Sequence, residues 1–93
     1  MAVYFISYNL GGSEEKYASV ESVIKDCCYN DTWIHYIDNT WIIKSQMSAD
    51  QIGRRLNSIT QDEDSFIVVE GTDNYAGWLP KEGFDFLYNR IYK

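Results

Sequence analysis

Ala2-Val3-Tyr4-Phe5-Ile6-Ser7-Tyr8-Asn9 reads as a β-strand that begins at the second residue of the chain and ends at Asn9. A strand this early is expected inside a sheet, where neighbours on both sides hold it. Its residues alternate Val3, Phe5, Ser7 against Ala2, Tyr4, Ile6, Tyr8, so both faces carry apolar side chains. Its end presents a small polar set, Ser7, Tyr8 and Asn9.

Outward from that strand, Leu10-Gly11-Gly12-Ser13 is a turn into a helix. Ser13 is the expected N-cap, and Glu14 and Glu15 suit the positive end of the helix. Tyr17, Val20, Ile24 and Cys27 recur at three- and four-residue spacing, widened by Val23 and Cys28, which predicts an amphipathic helix over residues 14 to 28. Asn30-Asp31 breaks it. Residues 33 to 37 and 40 to 45 form two strands joined by a tight turn at Asp38-Asn39. Ser48 and Gln51 make a capping box, and Ala49, Ile52, Leu56 and Ile59 give the stripe of a second helix. Gly53 weakens that helix by about 1 kcal/mol and marks a place for close approach to the sheet or a partner. Asp62-Glu63-Asp64 reads as a solvated turn before a fourth strand over residues 65 to 70.

The order βαββαβ is the ferredoxin-like arrangement, an α+β class. Right-handed crossovers then give an antiparallel sheet of order 4-1-3-2 with both helices on one face. The other face is apolar too, and something must cover it. Residues 71 to 93 hold Tyr75, Trp78, Phe84, Phe86, Tyr88 and Tyr92, six of the chain's fifteen aromatics. Leu79-Pro80-Lys81-Glu82 starts a short helix, and Phe84, Leu87, Tyr88 and Ile91 form its stripe. The expectation is that this extension covers part of the sheet, through packing or a dimer interface, while a two-fold partner completes the cover.

Ninety-three residues make one domain, with residues 1 to 70 as its core and 71 to 93 as an extension. The 45% hydrophobic and 16% aromatic content excludes disorder, and no run of about 18 apolar residues predicts a membrane span. The first strand lacks the basic start and small-residue cleavage site of a secretion signal, so a cytoplasmic protein is expected. Fourteen acidic against eight basic residues give a net charge of −6. Phosphate backbones need several cations on one face, so nucleic-acid binding is expected to be weak or absent.

The remaining chemistry is sparse. Asn9, with Ser7 and Tyr8, could hold a ligand at the end of a central strand, or simply cap the following turn. Arg54 and Arg55 are the candidates for a phosphate, although on a helix they point different ways and Arg54 has Asp50 four residues before it. Gly11-Gly12 lacks any phosphate-loop pattern. The single His35 alternates with Trp33 and Ile37 within a strand, and Trp33 and Trp41 fit hairpin packing or, alternatively, base stacking. Cys27 and Cys28 are adjacent, with no metal motif; one is expected in the core and the other at its border. No resident cofactor or metal follows from these residues.

The strand ending Ser7-Tyr8-Asn9, the hairpin from Trp33 to Ile43 and the later Ala76-Gly77-Trp78-Leu79 resemble a family of small proteins carrying a SinR label. Across residues 1 to about 70, in element order and strand-one ending, the chain is distantly similar to the ferredoxin-like subunit of the CRISPR spacer-acquisition complex. That resemblance implies a homodimer with facing sheets and C-terminal segments completing the assembly. In nuclease-active members a first-strand Asp is proposed to hold a divalent metal at the dimer interface. The matching position here is Asn9, a departure that puts metal-dependent phosphodiester cleavage in doubt. The expected function is a non-catalytic homodimeric protein-interaction module, with a phage-defence or toxin–antitoxin setting implied by the resemblance. The alternative is a metal-dependent, Mg²⁺-using endonuclease-like or nucleic-acid-binding protein of the CRISPR-associated type.

Overall fold

Period-two alternation along β1 (Ala2–Asn9) sends Tyr4, Ile6 and Tyr8 to one face of a sheet and Val3, Phe5 and Ser7 to the other. The computed structural model describes residues 1–12 and 14–92, so the expected Ser13 cap lies outside the described residues. The chain continues through α1 (Glu14–Cys27), β2 (Trp33–Ile37), β3 (Thr40–Ser45), α2 (Ala49–Asn57), β4 (Ser65–Glu70) and α3 (Lys81–Phe86). Sheet order is β2-β3-β1-β4, the expected 4-1-3-2 taken from the other edge, and every neighbouring pair is antiparallel. The fold is the α+β ferredoxin-like arrangement.

The helix face holds the main core. Val20, Ile24 and Cys27 of α1 and Ile52 and Leu56 of α2 pack on Tyr4, Ile6, Trp41 and Ile43 of the sheet. Three polar tips inside this layer are satisfied locally. Tyr4 Oη donates to the Met47 carbonyl (2.7 Å), Trp41 Nε1 donates to Tyr8 Oη (3.0 Å), and Ser45 Oγ donates to the Cys27 carbonyl (2.6 Å). The Ser48–Gln51 capping box forms as expected at the start of α2. After α1, Asn30 and Asp31 both take left-handed backbone angles (φ 52° and 53°), which ends the helical path and turns the chain into β2.

Two local features differ from expectation. The turn before β4 is not simply solvated, because the Asp64 side chain is fully out of solvent. It accepts from the backbone N–H groups of Gly11 (2.9 Å) and Gln61 (2.8 Å) and pairs with Lys16 (3.1 Å). These bonds hold its carboxyl below the usual carboxylate range, chiefly through the Gln61 N–H and also through the Gly11 N–H and Lys16. The cluster clasps the β1–α1 loop to the α2–β4 loop. Gly53, in turn, is not forced by close packing: a methyl there would meet the Phe66 ring at an ordinary 3.9 Å.

The extension lies on the second face. Pro80 precedes α3, and the helix widens into a π-type turn over Leu87–Ile91, closed by the Tyr92 N–H on the Leu87 carbonyl (3.0 Å). Leu87 and Ile91 are buried against Val3 and Ile34, with Ile42, Leu79, Phe84, Phe86 and Tyr92 packed around them. Gly83 allows the close approach of α3 to β2, since a methyl at that position would lie 2.8 Å from the Tyr36 ring. The cover stops short of β4, where Ile67 and Val69 stay 59% and 48% exposed.

Candidate interaction surface

The second face can be followed row by row from the strand register. Val69, Phe5, Ile42 and Ile34 make one row across the sheet. Ile67, Ser7, Thr40 and Ile37 make the next. The extension covers the β2–β3 end of the first row and leaves most of the second open. Ser7 Oγ and Thr40 Oγ1 lie 3.3 Å apart in the middle of that open row, flanked by exposed Ile67 and Ile37. The surface is therefore apolar at both ends with one pair of hydroxyls at its centre.

Between this face, α3 and the segment of residues 75 to 79 is an apolar cavity of about 160 Å³. Phe5, Ile34, Ile42 and Leu87 are among its walls, and Thr40 supplies a hydroxyl. Trp78 borders it and is 94% exposed. An indole left in water beside an apolar hollow is an unusual use of the largest apolar side chain.

The structure separates the polar triplet at the end of β1. Tyr8 is buried on the helix face, under the Trp41 indole, whereas Ser7 and Asn9 are exposed. Asn9 faces Ser65 at the last pair of the β1–β4 ladder. Burial pushes the Tyr8 phenol above its ordinary range, against a smaller lowering by the Trp41 N–H, so it stays protonated near neutrality. The two arginines also part. Arg54 pairs with Asp50 one turn earlier (2.9 Å), as its spacing predicts. Arg55 crosses to α1, where it bonds Asp26 (2.6 Å) and approaches Cys27 Sγ (3.7 Å). Each guanidinium already has a carboxylate.

His35 stacks on Trp41 (ring centroids 4.1 Å apart), and Trp33 packs on the same indole at 4.9 Å. Trp41 is 1% exposed, so hairpin packing accounts for it and base stacking does not. Cys27 is buried and Cys28 half-buried, both as free thiols, as the core-and-border expectation has it. Burial pushes the Cys28 thiol up to about 12, helped by neighbouring Cys27 and Asp31. Among the described residues no group of three His, Cys, Asp or Glu side chains is placed to hold a metal ion. No described helix is long and apolar enough to cross a membrane.

The aromatic extension splits into two sets. Leu87 and Ile91 are buried, Phe84 is half-buried, and Tyr75 stacks with Phe84 and Tyr92 at 6.5 and 5.7 Å. Trp78 and Tyr88 instead face outward. The patch of Phe5, Ile67 and Val69, which spans both rows, was not among the sites that the sequence suggested. Its signal was the apolar residues on both faces of β1 and β4. Comparisons with family models, curated proteins and solved structures give no match to this chain.

Proposed function

We propose that the chain is a homodimeric protein-interaction module that works through the open part of its second sheet face, without catalysis of its own. The observation that carries this reading is the apolar surface beside the extension: Ile37, Ile67, Val69 and Trp78 are all about half exposed or more on one face. Small monomeric domains seldom leave that much contiguous apolar surface in water, and covering it is the driving force for association. The two unpaired thiols fit a reducing, cytoplasmic setting. A place in phage defence or in a toxin–antitoxin pair goes with the family resemblance.

Sedimentation at tens of micromolar tests the reading. The expected species has twice the 10.9 kDa monomer mass, and Ile67→Asp returns it to the monomer with an unchanged circular dichroism spectrum. A wild-type chain that stays monomeric through hundreds of micromolar overturns it.

A further inference from the structure

We propose that the dimer is built by reciprocal exchange of Trp78, the indole of each copy entering the apolar cavity of the other. This deepens the homodimer reading and rests on it. Trp78 is 94% exposed at the border of a cavity of about 160 Å³. Apolar cavities of about 150 Å³ take up a benzene ring, so this hollow has room for the six-membered ring of an indole.

Knob and hole sit side by side on the same face of the same chain. A two-fold axis passing between them carries each knob to the other copy's hole, so one closed, isologous contact satisfies both. The chain that bears Trp78 has the freedom to do this. Among the described residues, Ala76, Gly77 and Trp78 form no backbone–backbone hydrogen bond, so none has to break for the exposed indole to reach a second copy. A methyl built at Gly77 meets nothing within 4 Å, which shows open space around the arm.

The available area favours a second copy as the occupant. Trp78, Tyr36, Tyr75, Ile37, Ile67 and Val69 are the large exposed apolar side chains of this face and cavity rim. Together they offer roughly 650 Å² per copy, close to the ~800 Å² each partner contributes to a standard interface. The exposed surface of one chain is thus near what a stable dimer needs from each side.

The test joins sedimentation with tryptophan fluorescence. Trp41 is buried and Trp33 half-buried on the opposite face, so a change on association reports Trp78. Raising the concentration through the dimer transition should shift the emission to the blue and reduce acrylamide quenching. Trp78→Ala should weaken the dimer by at least ~30-fold, as expected for a central aromatic anchor, and Trp78→Phe should recover part of it. A Trp78→Ala protein that dimerises like the wild type overturns the exchange while leaving the homodimer standing. So does a wild-type dimer whose emission stays red and fully quenchable. A wild-type monomer at all concentrations overturns both.

Discussion

Leu87→Ala measures how firmly the extension is built into the domain. Leu87 is 2% exposed and belongs to a small buried cluster with Val3, Ile34 and Ile91. Removing its outer carbons forfeits about 2.4 kcal/mol of transfer free energy, at about 0.8 kcal/mol per methylene. A cavity contribution adds to this, but Leu87 already borders the open hollow under residues 75 to 79, so the new space joins one that solvent can reach. The total expected is about 3 kcal/mol, toward the lower end of the range for buried leucines. A 93-residue domain has about 0.2 kcal/mol/K of unfolding entropy, so the melting temperature should fall by about 15 °C. Chemical denaturation at a concentration low enough to keep the chain monomeric gives the free energy directly. Trp78→Ala is the control under the same conditions: with its side chain in water, it should change stability by less than ~0.5 kcal/mol. A Leu87→Ala midpoint within experimental error of wild type would refute the reasoning. It would mean that the extension opens by itself and contributes nothing to the cooperative unit.

The Asp64 clasp predicts a pH effect with a definite sign. The folded carboxyl lies below its unfolded value, so its stabilisation is complete above about pH 4 and is lost as the pH falls through the folded value. Asp64→Asn should therefore flatten the acid limb of stability below about pH 4, and an unchanged limb counts against the clasp. With the Cys28 thiol pushed up to about 12, alkylation of native protein at pH 8 should be very slow. Its thiolate fraction there is about one in ten thousand, against about a quarter for a free cysteine; rapid labelling without denaturant would contradict the burial. Because each copy carries −6, added salt should tighten the proposed dimer by screening repulsion, and a dimer that loosens between 50 and 500 mM salt, roughly, would instead point to ion pairs across the interface.

Most of the fold was legible because it rests on local periodicity. The stripes of α1 and α2, the Ser48–Gln51 box, the Asp38-Asn39 turn and the alternation of β1 each follow from neighbours within a few residues. The order of elements and the handedness of crossovers then leave one arrangement of the four strands. The position of the proposed site was less legible. Tyr8 adjoins Ser7 and Asn9 in sequence, yet alternation puts it on the opposite face, and only its bond from Trp41 reveals how deeply it is held. Asp64 looks like one acid among three until the Gly11 and Gln61 N–H groups and Lys16 close around it from other segments.

The sequence by itself determined the βαββαβ order, the two apolar faces of the sheet and the need to cover the second. These depend on spacing and on side-chain polarity, which the chain carries in one dimension. Only the tertiary structure decided how far that cover reaches. Helical spacing puts Leu87 and Ile91 in one stripe but puts Tyr88 there too, and it does not say that Tyr88 and Trp78 stay in water while Leu87 and Ile91 are buried. The distinction comes from the π-type turn that brings Leu87 and Ile91 onto Val3 and Ile34, and from the limited length of α3, which leaves Ile67 and Val69 beyond its reach.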